Sequence, residues 1–526
     1  MNRRRFLKQF GAATLALAHR KAWAAAEPPS RPPAFCTANA RWQSAYDAAL
    51  AVLAGNVRHL PQCPDDPVLI EGAQYNGIWM ECGPHESLVY RKFRPDAARG
   101  CHRIFFNAQH PDGQFPASIR TTGAGYGQIQ MVVPLASTAW ELARATGDES
   151  LLHAAYAACS RWDNWLVRYR NHRGTGLVEG VCTYDAGTDN SPRWAGMPNR
   201  CPDGDARQYP SDPTLPRLCP DLSATSYGAR VALSQMAKAL GRDSESDQWA
   251  EKAGTLRRAI LSQLYSPEDA AFYDRDAQGR FVRVRSEIIT RVCSEHVPDQ
   301  KLFDELWRRQ IHLPTAFWPD FPIPSVALDD PHFVRPIPHN SWGGASQALT
   351  ALRTSRWFDH YGRPSEHGHL MSRWCEAIQR DPTFRQQIDP LSGVFTDGDN
   401  PAYSPCALVM YDFTWRLAGI VEHSTSIDWN VHPEHPVAQS ARFALTTDGG
   451  SEAALSYGPQ GVSLQLAGRE IAVVKIGAAR VTTDNSGRIR QLTGISQTAE
   501  RVVVKQHNRE PMHFLLNPNQ VVAFEK

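Results

Sequence analysis

The chain has 526 residues and a nearly balanced charge, with 56 Lys and Arg against 54 Asp and Glu. That length exceeds what one compact core serves, so a large domain plus a smaller one is expected. The short basic clusters argue against nucleic acid or an anionic membrane as partner, and no segment reaches the length of a membrane span. At the N-terminus, Arg3-Arg4-Arg5-Phe6-Leu7-Lys8, the weakly apolar run to Ala18 and the small residues at Ala22, Ala24 and Ala26 predict a twin-arginine export signal over residues 1–26. A periplasmic or secreted protein is the expectation. From Ala38 to Val421, apolar residues recur at three- and four-residue spacing, predicting roughly ten to twelve helices. They include Trp42–Leu53, Pro95–Gln109, Val132–Thr146, Ser150–Tyr169, Ser223–Leu240, Ser246–Leu264, Gln300–Gln310, Gly343–Tyr361, Glu366–Arg380 and Cys406–Ile420. Short turns alternate with long loops rich in Gly, Pro, Trp and Asp, and long loops in a compact domain usually carry function. From Trp429 the period falls to two residues, and Ala441–Thr446, Val462–Leu466, Glu470–Ile476, Arg501–Lys505 and Val521–Phe524 read as strands. The expected class is mostly α: an (α/α)6 toroid, or six-hairpin barrel, over residues 35–428, then a small antiparallel β domain over 429–526. The pattern alone leaves other all-α arrangements open.

The stretch Asp185-Ala-Gly-Thr-Asp189-Asn190-Ser191-Pro192-Arg193-Trp194 places carboxylates, a guanidinium and an aromatic ring between two helical segments. Asp189 is a candidate proton donor, and Trp194 a flat ring on which a sugar could stack. An Asx-rich surface turn has the same composition. Arg193 reads as a group that orients a carboxylate or hydroxyl, or as half of a surface ion pair. Trp79 and Trp342, on loops beside Gly and Asn, are further stacking candidates. Gln128, Gln130 and Asn340 are candidate donors to hydroxyls, the two glutamines also candidate helix caps. Eleven cysteines lack C-x-x-C and zinc-ligand spacing. Cys201 and Cys219 bracket a Pro/Asp-rich segment and are a candidate disulfide, with Cys36 and Cys63 a weaker one. His85 and His339 have no companion at a recognised ligand spacing, so neither a metal nor any other cofactor is expected.

Several segments, in order, resemble the (α/α)6-barrel glycoside hydrolases of families 63 and 37, which include processing glucosidases, mannosylglycerate hydrolases and trehalases. Gly77-Ile-Trp79-Met-Glu81-Cys resembles their aromatic-Trp-Asp substrate loop, with Glu in place of Asp. Gln109-His-Pro-Asp112-Gly113-Gln-Phe-Pro116 is similar to their Q-x-x-D-G-x-x-P turn, and Gly187-Thr-Asp189-Asn-Ser191-Pro-Arg193-Trp194 to the motif that carries the general acid. Asp221-Leu-Ser-Ala-Thr-Ser-Tyr227 is like the helix that follows, and Asn340-Ser-Trp342-Gly-Gly corresponds loosely to a late aromatic loop. The resemblance implies an inverting glycosidase with Asp189 as acid and a carbohydrate substrate, an oligosaccharide or glycan terminus. Glu81, Glu86 and Asp185 join the cleft on this reading, the two glutamates chiefly as hydroxyl-binding groups.

One departure bears on the chemistry. Where these families place the base Glu, in W-E-x-Y-D-P, this chain reads Arg385-Gln386-Gln387-Ile388-Asp389-Pro390. Gln386 cannot take a proton from water, so it becomes a substrate-binding candidate. Asp389 is then the first candidate base, although Asp-Pro-Leu-Ser-Gly is also a good turn; Asp397 and Asp399 lie in the same region. Two other readings stay open. A non-catalytic carbohydrate-binding relative would explain Gln386. A polysaccharide lyase would use groups such as Tyr126, Tyr227 and His339, but lacks a basic cluster for a uronate.

Overall fold

A computed structural model describes residues 31–337, 341–396, 398, 400–506 and 509–524. The expected export signal and Asn340, His339, Asp397 and Asp399 lie outside the described residues. Among the described residues there are twelve α-helices: α1 (Ala40–Gly55), α2 (Gly83–Val89), α3 (Pro95–Asn107), α4 (Leu135–Thr146), α5 (Glu149–Tyr169), α6 (Pro220–Ala239), α7 (Asp243–Gln263), α8 (Ile288–Ser294), α9 (Gln300–Leu306), α10 (Ala348–Arg353), α11 (Pro364–Arg380) and α12 (Ser404–Ala418). None is long and apolar enough to cross a membrane.

The helix starts follow local chemistry. Asn39 and Asp148 accept from the amides of Trp42 and Leu151, capping α1 and α5, and proline stands in the first turn of α2, α3, α6, α11 and α12. Chain-distant helices are fastened by buried indole bonds. Trp42 Nε1 donates to Thr414 Oγ1 at 2.9 Å and Trp415 Nε1 to Tyr46 Oη at 2.9 Å, so the last helix closes on the first. The apolar stripes converge on one continuous core that includes Trp165, Trp357 and Trp374.

The helix expected over Gly343–Tyr361 is shorter than its periodicity suggests. Ser346–Gln347 pairs as a strand with Gln387–Ile388, and only Ala348–Arg353 is α-helical before a 3-10 turn. Tertiary pairing overrides the helical pattern there, and it brings the Gln386 segment beside the 341–347 loop. Strand structure in the C-terminal part begins at Ile420. A five-stranded antiparallel sheet (Ile420–Glu422, Ser426–Val431, Ala479–Asp484, Ile489–Thr493, Val521–Ala523) accompanies a seven-stranded one. The N-terminal strand Ala34–Cys36 joins the latter at its edge by pairing with Arg442–Thr446. Alternation is regular: Val462, Leu464 and Leu466 are buried while Ser463 and Gln465 face outward. The two parts meet at a charged knot in which Lys92, in the turn after α2, binds Glu422 at 2.6 Å and also Asp448.

Candidate active site

Two loops build the candidate site. The first runs from Ile70 into α2. It is pinned at Glu71, whose amide donates to Gly77 O and whose carbonyl accepts from the Ser404 amide at the start of α12. Tyr403 Oη donates to Glu71 Oε1 at 2.7 Å. Glu81 lies further along this loop, where Gln130 Nε2 donates to its Oε1 at 3.3 Å and Gln128 Nε2 in turn donates to Gln130 Oε1. Glu86, inside α2, is fully buried, and neither of its oxygens has a hydrogen-bond partner in the protein.

The second loop carries Asp189, which is half-buried. It packs directly on the first. Gly187 adopts φ +58°, and a Cβ there would lie 1.7 Å from Glu81 Oε2, so this position must be glycine. The Trp342 amide donates to Asp189 O at 3.4 Å. The Asp189 charge is close enough to help raise the pKa of Glu71, Tyr75 and Glu81.

Electrostatics set these carboxylates apart. Burial, then the charges of Glu86 and Glu81, push Glu71 well above the carboxylate range. Glu86 is pushed up to about 8, chiefly by burial. Burial raises Glu81 as well, but the guanidiniums of Arg353 and Arg291 pull it back, to about 7. Crowded carboxylates cannot all ionise, and the one beside cations keeps its charge most readily. Arg353 donates to the Glu81 carbonyl through Nη2, while its Nε and Nη1 have no partner in the protein.

Several sequence-predicted site residues stand elsewhere in this architecture. Asp185 is fully buried and paired with Arg170 at 2.6 Å, and it accepts from the amides of Ile129, Val181 and Cys182. It shapes the loop and does not face a cleft. Arg193 is likewise buried beneath the loop. Its guanidinium spans Asp221 (2.8 and 3.0 Å) and Asp274 (3.0 Å twice), which consumes the groups that would orient a substrate. The three tryptophans expected as stacking platforms are only 7%, 2% and 2% exposed at Trp79, Trp194 and Trp342. Trp194 donates to Thr188 Oγ1 and lies against Arg193 and Arg217, Trp342 lies against Arg291, and Trp79 is covered by Tyr75 and Arg120. An open ring face is what a stacked sugar needs, and these rings have spent theirs on the protein.

Asp389 is also committed locally. Its Oδ1 accepts from the amides of Leu391 and Ser392 and from Ser392 Oγ, the pattern of an Asx turn, and Arg335 approaches Oδ2 at 3.5 Å. Gln386 sits at the first loop, where Tyr75 Oη donates to its Oε1 at 2.9 Å. Sequence reasoning missed Glu71, Tyr75 and Arg353. The signals were a lone carboxylate ending the apolar run Val68-Leu69-Ile70 and a lone arginine ending Ala348–Leu352.

Three groups of side chains have donor atoms close enough to share a cation: Glu71–Glu81–Cys82, Cys182–Asp185–Cys201 and Cys219–Asp221–Asp274. In the last two an arginine already supplies the positive charge, Arg170 in one and Arg193 in the other. In the first, burial raises the Cys82 thiol and both carboxylates, and Tyr403 and Gln130 already donate to Glu71 and Glu81.

A family model described as a mannosylglycerate hydrolase MGH1-like glycoside hydrolase domain matches residues 75–415, most of the helical part. The chain belongs to the MGH1-like glycoside hydrolase family. None of the curated proteins matches it in sequence. Among solved structures this glycoside hydrolase is similar to the family 63 mannosylglycerate hydrolase of Thermus thermophilus, at 18% identity and a TM-score of 0.57 over 70% of this chain and 99% of the other. It is also similar to a family 78 rhamnosidase of Bacillus (13%, TM-score 0.58, over 84% and 42%) and to the neutral trehalase of Saccharomyces cerevisiae (12%, TM-score 0.51, over 70% and 81%). At these identities the likeness is one of fold, and it identifies the helical part of the MGH1-like hydrolase with the (α/α)6 glycosidases.

Proposed function

We propose that this hydrolase inverts the anomeric centre of an oligosaccharide or glycan terminus, with Asp189 as general acid and Glu81 as general base. Asp189 gives its proton to the leaving oxygen. Glu81, kept ionisable near neutral pH by Arg353 and Arg291, takes a proton from the attacking water. The observation that carries this reading is the contact between the two loops, which sets the Asp189 segment directly on the Glu81 carboxylate. Glu71 and Glu86, held protonated by their surroundings, act beside it as hydroxyl-binding and charge-balancing groups. Gln386 binds through its amide where its relatives carry the base. The N-terminal arginine pair supports export to the periplasm or beyond.

The test is a panel of gluco- and manno-configured oligosaccharides headed by mannosylglycerate, the substrate in the name of the Thermus neighbour. The anomer released first is followed by NMR. Hydrolysis with inversion that falls by a factor on the order of a hundred or more in both Asp189→Asn and Glu81→Gln is the expected result. Full activity in either variant removes that residue's role. Gln386 favours one other reading, a non-catalytic sugar binder. Saturable heat of binding by calorimetry with no turnover across the panel would select it.

A further inference from the structure

The cysteine spacing suggests a Cys201–Cys219 bridge, but the fold pairs the cysteines differently. Cys201 Sγ lies 3.9 Å from Cys182 Sγ, and both residues are buried. Cys219 instead sits against the Arg217 carbonyl, in the Asp221–Asp274 group. Cys182 immediately precedes the Thr183–Ala186 turn, and Cys201 ends the segment that leaves it. Between them runs the whole loop bearing Asp189. Its two ends lie side by side, with the Thr183 amide donating to Pro198 O at 2.9 Å and the Tyr184 amide to Asn199 O at 3.2 Å. Arg170 Nη2 donates to Cys201 Sγ at 3.4 Å, which holds that sulfur at the base of the loop.

We propose that Cys182 and Cys201 form a disulfide under oxidising conditions and so fasten the base of the Asp189 loop. A cystine needs its sulfurs about 2 Å apart, so each must move by roughly 1 Å, within the reach of a side-chain rotation. The oxidant is a disulfide, either oxidised glutathione or a protein dithiol-disulfide. The Cys201 thiolate attacks one sulfur of that donor and expels a first thiol. Cys182 then loses its proton, attacks Cys201 Sγ and expels the second. Two cysteine thiols are oxidised by two electrons, and one donor disulfide is reduced to two thiols. The same site offers Asp185 as a third ligand for a metal, but Arg170 is 2.6 Å from that carboxylate and three backbone amides already bind it.

The experiment uses the full chain, both folded and refolded in a glutathione redox buffer, followed by denaturation, alkylation with N-ethylmaleimide and peptide mapping. The expected product is a cross-linked peptide pair joining Cys182 to Cys201, with the mass of two hydrogens lost and recovered on reduction. The oxidised protein should melt a few °C higher and resist proteolysis between residues 183 and 200. Cys201→Ser should abolish the cross-link, and the wild-type map stands by itself if that variant misfolds. Full alkylation of both cysteines in both preparations would overturn the proposal. So would a Cys201–Cys219 link, or protection of the thiols that a chelator reverses. No outcome depends on hydrolytic activity, so this pairing and the assignment of Asp189 fail separately.

Discussion

The loop bearing Asp189 stands between two buried charge clusters of opposite character. Beneath it, Arg170 with Asp185 and Arg193 with Asp221 and Asp274 are paired at 2.6–3.0 Å. Beside it, Glu81 and Glu86 keep buried oxygens without partners, as Arg353 keeps two nitrogens. Burial taxes an ionised group heavily unless it is matched, so the matched cluster is what the fold needs and the unmatched one is what the fold tolerates. Unmatched buried titratable groups concentrate at functional sites because they are poised to meet a substrate or a proton. On the proposed function, the lower cluster holds the loop and the lateral one carries the chemistry.

Breaking a matched pair should give the largest effect on stability. Arg193→Ala leaves Asp274 buried without its ion-pair partner and Asp221 with only Arg291, at 3.5 Å, and should cost about 3–5 kcal/mol in chemical denaturation. Asp189→Asn should reverse the pattern, lowering kcat by a factor on the order of a hundred, about 2.7 kcal/mol, while the melting temperature stays within a degree or so of wild type. If Arg193→Ala instead unfolds normally and loses only activity, the division between the clusters fails.

The lateral cluster also makes its own pH predictions. The base must be ionised, so kcat/KM should fall as pH drops through about 7, the value to which Glu81 is raised, and Glu81→Gln should remove that limb along with most of the activity. Glu86 acts on stability in the opposite sense. Its folded pKa of about 8 lies above the unfolded value, so the neutral form's contribution is complete below about pH 4.5 and is lost as pH rises through 8. Glu86→Gln should flatten that decline, by an amount on the order of a few kcal/mol when unfolding free energies at pH 5 and pH 9 are compared. The smallest change is expected of Gln386→Glu. Tyr75 can still donate to the new side chain, so kcat should stay within about threefold of wild type while the lost amide donor raises KM, whereas a large gain in kcat would return the base role to this position.

Much of the fold was legible because periodicity records burial. The helices from Trp42, Pro95, Ser150, Ser246 and Glu366 and the strand Val462–Leu466 stand where their apolar spacing put them. Gly83–Val89 and Ile288–Ser294 were not legible: a helix buried all round, such as Ile288–Ser294, carries no amphipathic stripe. In the candidate site, the Asp189 loop could be found because Gly, Asn and Pro mark a special backbone. Trp79, Trp194, Trp342 and Arg193 were misplaced because a polar or aromatic residue on a loop can point into the core as readily as into a cleft.

The linear order of residues was enough to establish a helical body ahead of a β region and to single out the 185–194 loop, because both depend on local spacing and turn chemistry. Which carboxylates are neutralised and which are left bare depended on arginines about 15 to more than 270 residues away, as in Arg170–Asp185 and Arg353–Glu81. Charge pairing acts through space over a few ångströms, so only the folded chain could decide it.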